Sequence, residues 1–111
     1  MLEKFFPEHK PEHIQALDAL VYTGGAEVYR GENGAIVFSV NKKEKRLLVL
    51  DCSLPWVSRY SDILSLCNEI AKRLKLKTIL TFCTSQGAYD FLLKNGWDKF
   101  GGGMYVVKKC A

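Results

Sequence analysis

The spacing of apolar residues predicts a first helix near the start of the chain. Over Pro11–Tyr22 the apolar positions recur three and four residues apart, which is the period of a helix with one buried face. Pro11 suits the first helical position, and two glycines follow the last turn. Residues 1–8 are predicted to be a strand or an ordered lead-in to this helix. The predicted inward residues of the helix are Ile14, Leu17, Leu20 and Val21.

Two further helices are predicted in the second half of the chain. One covers residues 59–74, and a shorter one is capped by Thr84 or Ser85 and stops at Gly96. Their apolar positions repeat at helical spacing, so each helix is expected to bury one face. The inward residues are Tyr60, Ile63, Leu64, Cys67, Ile70, Ala71 and Leu74 in the longer helix, and Ala88, Phe91 and Leu92 in the shorter one.

Shorter segments between the helices have the composition of strands. Residues 26–30 and 35–40 are predicted to pair as a hairpin, because the Asn-Gly pair within residues 32–34 favours a tight turn. The next segment, Arg46–Cys52, is apolar on both faces, which is typical of a central strand covered on both sides. These three strands are expected to form an antiparallel meander.

A helical crossover is predicted to follow the meander. Residues 78–83 form another doubly apolar strand, and the longer helix connects it to Arg46–Cys52, so the two strands should be parallel. Residues 97–100 and 104–108 are predicted to close the chain as a hairpin. We therefore expect residues 1–111 to be a single α/β domain with an α+β mixed sheet: an antiparallel meander, a βαβ crossover, a second helix and a C-terminal hairpin.

Composition narrows the class of protein. The 111 residues suffice for one core, and 48% hydrophobic with 25% charged residues is ordinary for a soluble globular domain. The apolar runs are too short to span a membrane, and the first ten residues lack the pattern of a secretion signal. The four cysteines form no C-x-x-C pair, so we expect them to be reduced core residues, except for Cys110, which is expected to be exposed. Together these features predict a cytoplasmic protein without a membrane partner.

The charge distribution and the histidines suggest neither a nucleic-acid partner nor a metal. Much of the basic excess behind the net charge of +4 lies in residues 42–46 and 72–77, which are predicted to be solvated surface. No stacking aromatics or known motif accompanies these charges. His9 and His13 lie four residues apart beside Glu8 and Glu12, but Pro11 interrupts a continuous helical turn and no third ligand follows by spacing. We therefore expect an exposed start of a helix there and no metal site.

Residues 46–100 resemble the GNAT (Gcn5-related N-acetyltransferase) superfamily. The run LLVLDCSLPW is similar to the fourth strand of that family and the turn that ends it. The run AYDFLLKNGW matches its Ala-x-x-Phe-Tyr-x-x-x-Gly-Phe pattern through Ala88, Phe91, Leu92, Gly96 and Trp97, and DKFGGGMYVVKK resembles its final hairpin. The resemblance implies a GNAT-like fold and acetyl-CoA as a ligand.

In that family, backbone amides of a glycine-containing loop after the fourth strand hold the pyrophosphate of acetyl-CoA. The resemblance places the two glycine positions at Ser61 and Ile63, with Asp62 between them, and a family Asn at Ser85. Bulk at Ile63 and charge at Asp62 predict weakened binding of acetyl-CoA, which Arg59 partly offsets. The implied cofactor-binding residues are Cys52, Leu54, Ser58, Arg59, Tyr60, Ser61 and Ser85.

The resemblance also implies where catalytic groups should lie. The family's Tyr, which protonates the leaving thiolate, corresponds to Leu92, and Leu has no proton to give. Tyr89 is the candidate substitute, although its position also suits a packing or surface aromatic. Asp51 is the only carboxylate on the two parallel strands and is the candidate general base; the alternative is an ordinary strand-end residue that meets a backbone N–H.

These replacements predict a GNAT-like domain with a degraded pyrophosphate loop, weakly active or inactive, that works through protein contacts. A protein partner or a homo-oligomer would then dock on apolar surface, with Trp56 as the candidate anchor; the alternative for Trp56 is a loop aromatic that covers the core edge. Compact domains of this kind resemble tailed-phage products, which implies a structural or assembly role in the host cytoplasm or virion. The alternative is an active N-acyltransferase that moves an acetyl group from acetyl-CoA to a small amine or a protein amino group.

Overall fold

A computed structural model describes residues 2, 6–7, 9–31 and 34–111. Within them the chain forms the predicted succession of helices and strands. The helices are α1 (Pro11–Tyr22), α2 (Trp56–Leu74) and α3 (Gln86–Lys94), and the strands are β1 (Glu27–Arg30), β2 (Ala35–Asn41), β3 (Arg46–Cys52), β4 (Thr78–Phe82), β5 (Asp98–Lys99) and β6 (Tyr105–Lys109).

The strands form one mixed sheet in the order β1-β2-β3-β4-β6-β5. The meander β1-β2-β3 is antiparallel, β3 and β4 are parallel across the α2 crossover, and β6 returns antiparallel to β4. The mixed fold class, the crossover and the closing hairpin are thereby confirmed. The predicted turn at residues 32–34 falls partly outside the described residues, but the N–H of Gly31 donates to the carbonyl of Gly34 across it, at 2.8 Å.

The core lies on both faces of the sheet. On one face α2 and α3 cover a cluster that includes Phe38, Leu47 and Ile79. On the other face α1 and the lead-in cover a smaller cluster, to which Leu2 and Phe6 contribute buried side chains. Of the predicted lead-in, residues 1, 3–5 and 8 lie outside the described residues.

The helix ends follow local chemistry, with some differences from the expected boundaries. In α1, Pro11 occupies the first turn as predicted, but Leu20 is exposed rather than inward. Helix α2 begins three residues earlier than predicted, directly after Pro55, and has non-helical dihedral angles at Arg59 (φ −128°, ψ 33°). The earlier turn precedes the predicted helix, and the kink lies at the first residue predicted for that helix.

The loop after β3 is held against the start of β2 by a close backbone approach. Gly34 permits this approach, because a Cβ there would lie 2.7 Å from Ser53 Oγ. Ser53 Oγ accepts the N–H of Ala35 at 2.7 Å, and the N–H of Ser53 donates back to the carbonyl of Ala35 at 2.9 Å. These bonds fix the point at which the chain leaves β3 for α2.

Candidate functional site

A cleft opens where the parallel strands β3 and β4 separate. Their pairing ends at Val49 and Thr81, and beyond this point β3 pairs only with β2 while Phe82 pairs with β6. The cleft has a volume of about 830 Å³ and is lined by the strand ends, the loop after β3, the start of α3 and the segment before α1. Ligands of open α/β sheets bind at the carboxyl ends of the strands, so this cleft is the candidate site.

A β-bulge in β3 decides which side chains face which side of the sheet. Val37 pairs with Asp51 and Phe38 pairs with Val49, so Leu50 is the extra residue. Without it, strand alternation would direct Asp51 into the α2-side core together with Val49. The extra residue instead brings Asp51 opposite Val37, on the face that α1 covers.

On that face Asp51 meets two histidines from the start of α1. Asp51 Oδ2 lies 2.7 Å from His9 Nε2 and 3.0 Å from His13 Nε2. An ionised carboxylate only accepts hydrogen bonds, so each Nε2 acts as the donor in this arrangement. The other carboxylate oxygen, Oδ1, accepts the N–H of Cys52 at 2.9 Å. We call His9, His13 and Asp51 the His–Asp cluster.

The accessibility of the His–Asp cluster suits a reactive site. The Asp51 side chain is 19% exposed, His9 28% and His13 54%, so the carboxylate is half-buried while one imidazole faces solvent. All three residues line the cleft. Spacing along the sequence indicates no third ligand for the two histidines; the fold supplies Asp51, which is 42 residues from His9.

The predicted cofactor-binding residues fall into two groups. Cys52, Leu54 and Ser85 line the cleft, whereas the α2 group does not. Ser85 Oγ also caps α3, accepting the N–H of Ala88 at 3.1 Å, as expected for a capping residue. The α2 group is Ser58, Arg59, Tyr60 and Ser61, all at the first turns of that helix.

The start of α2 differs from the expectation in one important respect. The sequence predicts that the bulk of Ile63 hinders a ligand at the helix terminus. Ile63 is instead fully buried in the core, so its side chain does not obstruct the terminus. Asp62 is solvent-exposed and accepts a hydrogen bond from Arg59 Nε at 2.7 Å. Arg59 and Asp62 therefore form an ion pair, which engages the guanidinium.

Aromatic packing accounts for several residues near the cleft. Tyr60 Oη accepts the indole N–H of Trp97 at 3.0 Å, which ties α2 to the segment after α3. Trp56 packs edge-on against Trp97 at 5.5 Å, although it also lines the cleft. Tyr89 packs against the core cluster and does not line the cleft, and Leu92 is fully buried. Trp56 therefore covers a core edge, and neither Tyr89 nor Leu92 reaches the cleft.

The cleft thiols remain protonated at neutral pH. Burial and, to a smaller degree, the charge of Asp51 raise the pKa of Cys52 to about 12. Cys52 Sγ also donates to the carbonyl of Leu54 at 3.2 Å. Burial raises the pKa of Cys83 as well, so neither thiol is an activated nucleophile. All four cysteines are free.

Two solved structures share this architecture. The crystal structure of nourseothricin acetyltransferase matches with a TM-score of 0.56 at 18% identity, over 76% of this chain and 64% of that one, so this chain spans less than two thirds of that protein. Tetrahymena GCN5 matches with a TM-score of 0.65 at 16% identity, over 98% of this chain and 81% of that one. The fold is therefore GNAT-like, as the sequence resemblance implied.

Comparison by sequence gives no further relative. No family model and no curated protein matches the chain.

None of the helices in the described part of the chain has the length and apolar character that crossing a membrane requires.

Proposed function

We propose that this GNAT-like chain is an N-acyltransferase that binds an acyl thioester such as acetyl-CoA between β3 and β4 and transfers the acyl group to an amine. The observation that carries the proposal is the His–Asp cluster in the wall of the cleft. Two segments far apart in sequence bring a carboxylate and two imidazoles together where the strands separate, and such a set of groups in a cleft is a candidate acid–base site. The acceptor is a small amine or a protein amino group.

The diverging strands suit the thioester arm of the donor. Beyond Val49 and Thr81 the facing edges of β3 and β4 border the cleft instead of pairing with each other. Backbone groups on such edges can hydrogen-bond the amides of an extended pantetheine chain, as an added strand would. The thioester carbonyl then lies in the same cleft as the His–Asp cluster, and holding both reactants together supplies much of the rate.

The His–Asp cluster provides a proton acceptor for the attacking amine. When a neutral imidazole of His9 donates from Nε2 to Asp51, its Nδ1 carries the free lone pair. Attack of the amine on the thioester carbon forms the C–N bond, Nδ1 accepts the amine proton, and the thiolate leaves as the C–S bond breaks. Asp51 stabilises the imidazolium that results, as the carboxylate of a catalytic triad does. General base catalysis of this kind contributes about 10²–10⁴-fold.

Release of the thiolate does not require the missing tyrosine. Leu92 is buried and Tyr89 lies outside the cleft, so neither offers a proton there. A thiol has a pKa of roughly 8.5, so the departing thiolate is already a modest base and water can protonate it. Loss of the general acid therefore lowers the rate less than loss of the base would.

The start of α2 is the proposed binding site for the pyrophosphate of the acyl donor. The first N–H groups of a helix favour anions, and Arg59 adds a positive charge there. The glycines that allow closest approach in the family are absent, since none occurs between Gly34 and Gly87. We therefore expect the pyrophosphate to contribute little to affinity, and the thioester arm to contribute more.

A second function, protein binding without acyl transfer, has its own support. Leu50, Val57 and Phe82 border the cleft with 36%, 56% and 48% of their surface exposed. Exposed apolar side chains of this kind favour binding of a protein partner or a second copy of the chain in the cleft. The absence of glycine from the loop after β3 favours the same function, because it weakens the case for pyrophosphate binding. A role in phage assembly rests only on the sequence resemblance. We propose the cytoplasm for either function, because free cysteines suit a reducing compartment.

Calorimetry with acetyl-CoA separates the two functions. Micromolar binding, followed by thiol release when amines are added, supports the transferase. No heat at millimolar acetyl-CoA excludes it and leaves the protein-binding function. Glu44→Gln is the control for carboxylate-to-amide variants of the cleft and should behave as the wild type does. Glu44 is exposed in the turn between β2 and β3, away from the cleft.

A further inference from the structure

We propose that His9, His13 and Asp51 form a binding site for one divalent transition-metal ion of the Zn²⁺ type. One nitrogen from each imidazole and one carboxylate oxygen lie within 4.8 Å of one another. This site does not depend on acyl transfer and exists whether or not the chain is an enzyme.

The two oxygen–nitrogen separations are close to those of a zinc site. Zinc ligands lie about 2.0–2.2 Å from the ion, so neighbouring ligand atoms in a tetrahedron are ~3.4 Å apart. Asp51 Oδ2 is now 2.7 Å from His9 Nε2 and 3.0 Å from His13 Nε2, the distances of hydrogen bonds. Each neutral imidazole would pass its Nε2 proton through solvent to its own Nδ1, and a small outward rotation of the side chains would then admit the ion.

The donor set selects the class of ion. Two imidazole nitrogens with one carboxylate oxygen match zinc sites that keep a position open for water or substrate. Ca²⁺ and Mg²⁺ prefer more ligands, all of them oxygen. His13 is 54% exposed, so the fourth position would be open to solvent from the cleft.

The surrounding structure orients the ligands before any ion arrives. The N–H of Cys52 holds Oδ1 of Asp51, which leaves Oδ2 directed at both imidazoles. His13 lies in the first turn of α1, which the buried Ile14 anchors to the core. The fixed φ of Pro11 limits the backbone between the two histidines. The imidazole rings already meet edge to face, with centroids 4.7 Å apart.

Metal binding has a consequence that rests on the proposed function. An imidazole that binds an ion through Nε2 carries its remaining proton on Nδ1, so His9 would no longer accept a proton from an amine. Zinc should therefore inhibit acyl transfer, and a chelator should restore it.

Titration of the chelator-treated full chain with Zn²⁺ against a chromophoric zinc indicator tests the site. We expect about one equivalent to bind, and His13→Asn and Asp51→Asn each to weaken binding by more than the ~10–100-fold that is typical when a residue supporting a metal ligand is lost. Cys110→Ser is the control for adventitious thiol binding and should keep full affinity. Absence of binding, or equal affinity in all variants, would overturn the proposal.

Proton NMR of the wild-type chain gives a direct readout that does not depend on the variants folding. The chain has two histidines, so it has two sets of imidazole signals. Both should shift together at one equivalent of Zn²⁺; if either stays in place, the proposed site is wrong. These measurements need no acyl donor, so zinc binding without acyl transfer would discard only the transferase.

Discussion

The two ends of the cleft contrast in how their chemistry is built. At the start of α2, where the family resemblance places the pyrophosphate, anion binding depends on backbone amides, and the chain has Ser61 and Ile63 at the glycine positions. At the start of α1, the His–Asp cluster is made from side chains on two packed elements. Backbone sites require small residues, whereas side-chain sites require only that the fold bring the elements together.

The largest expected effect comes from restoring a family glycine at the α2 end. Because Ile63 is fully buried, Ile63→Gly removes a core side chain and adds a flexible residue inside a helix. We expect a loss of about 3–6 kcal/mol in unfolding free energy, from the cavity and the helix propensity together. Urea denaturation measures it. Tighter acetyl-CoA binding with little loss of stability would show that Ile63 faces the ligand after all.

At the α1 end, Asp51→Asn should remove most acyl transfer. The amide cannot stabilise the imidazolium of His9, so we expect kcat/KM to fall by about 10²–10⁴-fold with the fold retained. Steady-state thiol release measures this loss, with Glu44→Gln as the control. Equal activity of Asp51→Asn and the wild type would exclude the His–Asp cluster from the reaction.

Sequence patterns predicted the fold well because the relevant signals are local. The helical spacing in α2, the capping Ser85 and the doubly apolar β3 and β4 each follow from a few neighbouring residues. The βαβ crossover then follows from connection rules. The exposed Leu50 departs from the double burial predicted for β3, because it borders the open cleft.

The His–Asp cluster was not predictable in the same way. The sequence singles out Asp51 as a strand-end carboxylate and His9 with His13 as a spaced pair, but nothing in it joins the two features. Their convergence depends on the bulge at Leu50, which changes the side that Asp51 faces and has no sequence signature. A long-range contact of this kind becomes visible only when strand register and helix placement are both known.

A smaller effect concerns the ion pair at the α2 end. Arg59→Gln removes a positive charge from the proposed pyrophosphate site, and we expect acetyl-CoA to bind a few-fold more weakly. Asp62→Asn releases the guanidinium from its present partner and should tighten binding by a few-fold. Calorimetry at two salt concentrations measures both. Should neither variant change the affinity, the pyrophosphate does not lie at α2.

The smallest expected effect is on stability at alkaline pH, and it depends on Cys52, the thiol that follows Asp51 between the two ends of the cleft. The pKa of Cys52 is raised from 9.0 to about 12, mainly by burial, so the unfolded chain loses this proton at lower pH than the folded chain does. The contribution to stability is therefore complete below pH 9 and is lost as pH rises from 9 towards 12. Cys52→Ala should flatten the alkaline fall in urea midpoint relative to wild type.

The thiol should also react slowly with iodoacetamide at pH 8 in the native state, because little thiolate is present. Rapid alkylation there would mean that the strand end opens, and that the N–H which orients Asp51 is not held in place.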